Sequence, residues 1–472
     1  MKKKILIFFI FLIISCSKSI ESNELTDVTL ELYPLIENYS TDLGYSGDEI
    51  IIYGKNFTND ISKINIQFEY ISTDSQIIVN AQIIECSINH IVVKLPSGFN
   101  CITDLRLVIN GRQASNSDLM PYLNFGGKIG ILDNTPNVWQ KIEDYKLNPP
   151  SGYGNSASNK IIVVGDIIYY SFGDDNYYSS QKVYKISNGG LRFRQTGKVD
   201  QKGNDFHITE NHDGFYSLGD RLVSYGIDPN VAIDIFQFPF VSANLYFNGV
   251  TNIVGIYVSN DLSKTYLIDS NNRVYTSNDG VNFTSFTQAP FYNTRHVYCT
   301  SFLNENNLWY AGRKYGQPIL QSGAVVSYGP YQPYIAIIKN GVYNQIVLNN
   351  SLYSNFSVNK ISFINENIGF LNLIKNDNSN SKFMKSIDGG QNWTLINNNV
   401  FMTNFCFKDE NTGWYCYQNK IYKTIDGGVN WNLDYCCNSS INTIMNITYK
   451  NGVVYAIGLE SGLCVLLKYF IN

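Results

Sequence analysis

Two stretches decide how this chain folds: SIDGGQNW, Ser386 to Trp393, and TIDGGVNW, Thr424 to Trp431. They agree at Asp, both glycines, Asn and Trp, and a shorter copy, SNDGVNF, runs from Ser277 to Phe283. Each follows a short alternating segment, KFMK, KIYK or RVYT, and precedes another, which is the pattern of a β-hairpin turn. The residue types suit that turn. Asp388, Asp426 and Asp279 can accept hydrogen bonds from the turn backbone, and Gly390 and Gly428 can take positive φ. Trp393, Trp431 and, in the third copy, Phe283 supply a ring for packing between neighbouring sheets. Ser386, Thr424 and Ser277 complete the motif at its start. Structural work is therefore expected of these aspartates, and none is read as catalytic.

The motif resembles the Asp box of sialidase-like (BNR-repeat) β-propellers, where it joins the last two strands of a blade. The complete boxes lie 38 residues apart, from Asp388 to Asp426, close to the roughly 40–50 residues of a four-stranded blade. At that period the last 345 or so residues hold seven blades. Their expected bounds are 158–197, 201–241, 246–288, 294–349, 354–397, 400–435 and 440–470, with a longer insertion between Asp279 and Asp388. The final unit shows three good strands, INTIMNITYK, GVVYAIG and LCVLLKYF, while NVWQKIED near Asn137 is an orphan. Pairing that strand into the last blade removes exposed sheet edges. FINENIGFL (Phe363 to Leu371) and FKDENTGWY (Phe407 to Tyr415) resemble repeats of photosystem-assembly-factor-like propellers, and NVWQKI with IIVVGDIIYYSFGDD resembles kelch repeats. These resemblances imply a fold, not an activity.

Val28 to Ala114 reads as a small β-sandwich, short alternating runs separated by Gly, Asn, Asp and Ser. In GDEIIIYGKNF, Ile50 and Ile52 alternate with Ile51 and Tyr53, Gly54 allows a turn, and Phe57 returns to the core. With Pro34, Gly47, Asn56 and the later IIECSINHIVVKLP ending at Pro96, the segment resembles the immunoglobulin-like IPT/TIG domain, a spacer and interaction module. The expected protein is all-β, an immunoglobulin-like sandwich followed by a seven-bladed propeller.

The chain opens on three lysines and ten apolar residues, Ile5 to Ile14, before Ser15 and Cys16. That run is about half the ~20 residues a membrane span needs. Ile13, Ile14, Ser15 and Cys16 resemble a bacterial lipobox, which implies cleavage before Cys16 and lipid on its sulfur. The expected organisation is a signal peptide at 1–15, a polar tether at 16–27, the sandwich at 28–115, a linker at 116–136 and the propeller at 137–472. The expected location is the cell envelope, in the outer membrane of a Gram-negative bacterium.

Without its first three lysines the chain has 32 basic and 39 acidic residues, and no basic block, so nucleic acid is an unsuited partner. Aromatic residues make up 14% and charged residues only 16%, a composition suited to a secreted β protein. No CxxC pair or histidine cluster suggests a metal, and no cofactor motif is present. Cys406 and Cys416 flank the turn DENT, as a cross-strand disulfide or as two buried thiols.

A sialidase-like site needs an arginine clamp, an acid/base aspartate and a tyrosine nucleophile. The arginines, Arg106, Arg112, Arg192, Arg194, Arg221, Arg273, Arg295 and Arg313, sit in no such motif; a glycosidase's carboxylate pair stays open from sequence, with Asp174, Asp175, Glu305 and Glu366 among many candidates. Binding fits better, with a glycoside hydrolase or lyase as the alternative. DDNYY, containing Tyr177 and Tyr178, and YGPYQPY, containing Tyr328, Tyr331 and Tyr334, are the expected exposed aromatics, because prolines disfavour a central strand. The alternative is that these rings pack against the blades. The architecture resembles surface lipoproteins of polysaccharide-uptake systems, which implies a polysaccharide or an envelope protein as partner and a membrane held through the lipid.

Overall fold

The computed structural model describes residues 33–41, 43–71, 76–116, 128–147, 160–165, 167–172, 182–187, 192–198, 205–211, 213–218, 221–226, 253–279, 282–286, 295–321, 324–436, 441–460 and 463–471. Cys16, the leader, the tether, Tyr177 and Tyr178 lie outside these residues. The described chain is all-β, as expected, and apart from two single-turn 3-10 helices its regular elements are strands.

The N-terminal strands form two sheets. Ser115–Asn116, Leu35–Tyr39, Glu49–Lys55, His90–Lys94 and Gln82–Cys86 make one; Leu43–Tyr45, Lys128–Leu132, Cys101–Ile109, Ile64–Ile71 and Gln76–Asn80 make the other. Alternate residues of both close on one core, with Ile50, Ile52, Phe68, Ile91, Val93, Leu105 and Leu107 fully enclosed. Gly54 stays inside its strand, where a Cβ would strike the Phe57 ring. The positive φ falls instead on Asn56, at 59°, so glycine is needed here for room and asparagine for the turn. The expected linker also holds a strand. Lys128–Leu132 pairs with both Leu43–Tyr45 and Cys101–Ile109, and Ile129 and Ile131 join the core, so this unit extends past residue 115.

From Ile161 onward the sheets follow one another as antiparallel meanders. The four-stranded ones begin at Ile161, Ile253, Arg295, Phe356 and Asn404, and a three-stranded one begins at Phe206. The sheet at Arg295 differs: a hairpin, Pro318–Gln321 with Ala324–Tyr328, is inserted between its second and third strands. The last sheet is composite. Trp139–Leu147 pairs with Leu463–Phe470, which continues to Val453–Glu460 and Ile441–Lys450. First strands of successive sheets contact one another in series, and Ile441–Lys450 returns to contact Ile161–Val164. Serial four-stranded sheets joined face to face in a closed order make a β-propeller. Trp139 fastens the join, its indole donating to Asp434 Oδ2 at 2.7 Å while its ring packs on Tyr435 and Tyr469.

The three boxes share one bonding scheme. Ser386 Oγ donates to Asp388 Oδ1 at 2.8 Å and accepts from the Gly390 N–H at 2.8 Å. Asp388 then takes the backbone N–H of Asn392 on one oxygen and the Asn392 side-chain amide on the other. Thr424, Asp426, Gly428 and Asn430 repeat every one of these bonds. Ser277, Asp279 and Asn282 repeat the aspartate's share. Both glycines of each full box have positive φ: 75° and 89° at Gly389 and Gly390, 74° and 94° at Gly427 and Gly428. Trp431 packs edge-on against Phe383 of the preceding sheet and Phe407 of its own. Trp393 reaches Phe363 and donates its N–H to Gly390 O.

Gly428→Ala will place a side chain at φ 94° with its Cβ 2.5 Å from the Phe383 ring, whereas Gly452, at φ 83°, has open space around it. Chemical denaturation should show Gly452→Ala losing roughly 1–2 kcal/mol from the left-handed backbone alone. Gly428→Ala should lose about 1–3 kcal/mol more through overpacking. Equal losses would mean that the box does not seat against its neighbour.

The Asn430 backbone N–H, aided by the Asn430 and Thr424 side chains, holds Asp426 below the ordinary carboxylate range against the opposing effect of burial. A depressed folded value stabilises fully above the unfolded carboxylate pKa of about 3.9, and that stabilisation is lost as pH falls through the folded value. Asp426→Asn should therefore flatten the acid limb of a stability–pH profile measured from pH 6 downward.

Candidate functional site

The propeller's inner strands carry charged groups, several of which are tied internally. Lys160 pairs with Asp205 at 2.9 Å and donates to Phe206 O at 2.8 Å, and Asp205 also accepts the Ile256 N–H at 2.9 Å. His207 bonds Val258 O at 2.9 Å, and burial, reinforced by the charge of Lys160, pulls its pKa down to about 3. Lys360 on Phe356–Phe363 is likewise shifted down by burial. Three sheets are joined by the bonds of Lys160, Asp205 and His207, so those three groups read as structural. Among the described residues no three His, Cys, Asp or Glu side chains group as metal ligands.

The carboxylates considered from sequence are dispersed. Glu305 accepts from the Tyr257 hydroxyl at 3.2 Å, and Glu366 pairs with Lys339 at 3.4 Å; Asp174 and Asp175 lie outside the described residues. Cys406 and Cys416 are both buried and free. The disulfide alternative is corrected by the register, which sets Cys406 opposite Trp414 and Cys416 opposite Asn404. Burial pushes the Cys416 thiol up to about 12, and that of Cys406 upward as well.

Where the hairpin enters the sheet at Arg295, the aromatic segment YGPYQPY meets the ends of two other strands. Its three tyrosines have different fates. Tyr328 is 41% exposed, Tyr331 is 8% exposed, and Tyr334 is fully buried. The expectation of exposure is overturned at Tyr331 and Tyr334, which pack into the blade. Pro333 is only the second residue of Gln332–Lys339, where proline is tolerated. The strand then runs centrally, between Asn307–Lys314 and Val342–Val347. The Tyr334 hydroxyl donates to Asn272 Oδ1 at 2.8 Å and meets the Tyr343 hydroxyl at 2.6 Å.

Arg313 stands at the centre of this end of the sheet. Strand register places it opposite His296 on one side and Pro333 on the other. Its guanidinium lies 4.8 Å from the ring centre of Tyr331, 4.9 Å from Tyr315 and 5.5 Å from Tyr298, cation–π contacts of about 0.5–2 kcal/mol each according to exposure. Nη2 donates to the Tyr315 hydroxyl at 2.6 Å. The buried Arg313 Nε and the Tyr331 hydroxyl have no hydrogen-bond partner. Tyr315 also contacts Tyr328 at 5.3 Å and His296 at 5.5 Å. Burial raises the Tyr298 phenol, against Arg313, and lowers His296, with Arg313. Tyr298 is 45% exposed, so the cluster combines a fixed cation with open aromatic faces. Such a surface can stack on a ring's C–H face and donate hydrogen bonds from one edge.

Sequence reading located Tyr328 and Tyr331 but missed Arg313, Tyr298, Tyr315 and His296. One signal was available: between Asp279 and Glu366 the single acidic residue is Glu305, against Arg295, Arg313, Lys314, Lys339 and Lys360.

Fold and site together define a β-propeller protein with an aromatic–arginine surface at one blade end. No protein-family model matches the chain, and no curated protein matches it. Among solved structures it is similar to YCF48 bound to D1 peptide, at 12% identity over 71% of this chain and 97% of that one, with a TM-score of 0.45. It is also similar to auxiliary nutrient binding proteins from Bacteroides thetaiotaomicron and Bacteroides ovatus. Both are 12% identical and cover 98% of their own length, spanning 93% and 92% of this chain with TM-scores of 0.36 and 0.37. At these values the likeness is one of general architecture and says nothing of a ligand.

Because Cys299, Cys406 and Cys416 are buried with raised thiol pKa values, a thiol reagent at neutral pH should leave all three unmodified in the folded chain. Unfolding without reductant should expose them at once, as read by mass spectrometry. Recovery of a Cys406–Cys416 disulfide would contradict this arrangement.

Proposed function

We propose that this chain is a non-catalytic binding protein of the bacterial cell envelope, presenting a propeller surface to a carbohydrate. The observation that carries the reading is the Arg313 cluster, with the Tyr298 and Tyr328 rings open to solvent around a cation fixed by Tyr315 and Tyr331. Tyrosine faces suit sugar rings because each gives an apolar platform with a polar rim at little cost in conformational freedom. The sheets, with their closing pair of terminal strands, are read as seven blades, and the N-terminal pair of sheets as an IPT/TIG-like immunoglobulin module acting as a stalk. Cys16 is the proposed lipidation site, which places the protein on an envelope membrane, in the reading preferred here the outer membrane of a Gram-negative bacterium. Among the described residues no helix is long and apolar enough to cross a membrane. A protein partner is the second reading, since exposed tyrosine faces with an arginine also suit a protein interface.

A glycan array probed with the full chain should return a defined set of saccharides, and Tyr298→Ala should weaken the best of them about tenfold or more while leaving the melting temperature within a few degrees. Free sugar released during the same incubation would instead favour a glycoside hydrolase or lyase. An array without hits, alongside capture of an envelope protein lost on Tyr298→Ala, would turn the reading to the second partner class.

A further inference from the structure

We infer that the Arg313 cluster is a carboxylate subsite, so that the saccharide it takes carries an acid group, as a uronic acid does; this rests on the carbohydrate reading above. Three observations converge on it. A partly buried arginine is commonly held by a carboxylate, because desolvating a guanidinium is costly without a counter-charge. Among the described residues Arg313 has none. Its Nη2 donates to the neutral Tyr315 hydroxyl, three tyrosine rings lie within cation–π range, and Nε is buried without an acceptor.

Among the described residues no acidic side chain pairs with Arg313 or with its neighbours Arg295 and Lys314. Those two are cross-strand partners one position along, on the opposite face of the sheet. Arg295 lies over the Tyr334 ring at 5.1 Å, and its Nε is also buried and unpartnered. From residue 306 to 365 the sequence has no Asp or Glu, so neither the inserted hairpin nor the strand following it supplies a counter-ion. Finally, Arg313 as a whole is only partly buried, while its enclosed Nε and the enclosed Tyr331 hydroxyl have no partner inside the fold. A guanidinium that reaches solvent without an internal acceptor suits a planar carboxylate, which accepts on both oxygens. The half-exposed Tyr298 beside the guanidinium offers a face for the sugar ring bearing that group.

Phosphate and sulfate would meet the same cations, but the flat guanidinium edge flanked by rings favours a planar acid joined to a pyranose. Titration calorimetry on the full chain tests this without relying on a variant. The probes are oligogalacturonate, oligoglucuronate and alginate oligomers, each acid oligomer compared with its methyl ester, together with neutral and sulfated oligosaccharides of the same length. At least one acid oligomer should bind, and esterification, which keeps the ring and removes the charge, should weaken it tenfold or more. Arg313→Lys, which keeps the charge but loses the fork, should weaken the acid oligomer by a comparable factor and the ester by much less. Equal binding of acid and ester, or binding only of sulfated chains, overturns the inference while the carbohydrate reading stands. Binding of neutral saccharides alone does the same. Failure of every saccharide, charged or neutral, overturns both.

Discussion

A four-stranded sheet in a propeller has two faces to cover and can cover them only with its neighbours, so the fold depends on how one sheet adheres to the next. Flat ring stacking does this between the sheets that begin at Arg295, Phe356 and Asn404. Trp309 lies on Phe363 with centroids 3.7 Å apart and planes within 8°, and Phe370 lies on Phe407 with the same two values. In each pair a second-strand ring meets the first-strand ring of the following sheet. The Trp309 indole also donates to Gly389 O at 2.9 Å, tying the stack to the Asp box of that following sheet. Glycine makes the approach possible: a Cβ at Gly369 or Gly413 would lie 2.5 or 2.6 Å from the Phe363 or Phe407 ring of the same sheet. The turn and the inter-sheet contact therefore form one device.

That device explains what was legible in the sequence. A box is local, its aspartate bonding residues three or four positions away, so its requirement is written in eight consecutive letters. The repeats FINENIGF and FKDENTGW belong to the same mechanism. Asn365 and Asp409 each accept two backbone N–H groups to form the preceding turn, and their terminal Phe and Trp are second-strand rings. FLNENNLW, Phe302 to Trp309, is a further copy with no box after it. There the third and fourth strands turn through Asn340 and Gly341, at φ 51° and 74°, a two-residue hairpin of the kind Asn-Gly favours. The same dipeptide turns the chain at Asn110–Gly111 and Asn451–Gly452. Box counting alone thus underestimates the repeats.

The ligand surface was less legible because its residues meet only through tertiary register. Tyr298 and Arg313 come from paired strands whose alignment shifts at a bulge between Val297 and Cys299, which no periodicity announces. Tyr328 and Tyr331 return to them only after the inserted hairpin. Proline was misleading for a related reason. It excludes a residue from a central ladder only where its missing N–H is needed, and Pro333, close to the strand's start, leaves Tyr334 free to continue inward. Charge offered a better guide than aromatic content. Tyrosines are spread along a chain that has 35 of them, whereas a 60-residue run without an acid is uncommon in a protein whose acidic residues outnumber its basic ones.

That contrast bears on recognition. Net negative charge acts over the whole surface and is screened beyond about a Debye length, whereas a partly desolvated cation acts at contact and is screened much less. An arginine held by an aspartate would present a closed pair, and any anionic ligand would have to displace a partner already in place. Held by ring faces, the guanidinium keeps its position without a counter-ion of its own. Cation–π support and in-plane hydrogen bonding use different parts of the same group. The tyrosines around Arg313 can therefore fix its orientation without consuming its capacity to bind, and the inserted hairpin matters because it carries Tyr328 back into that cluster.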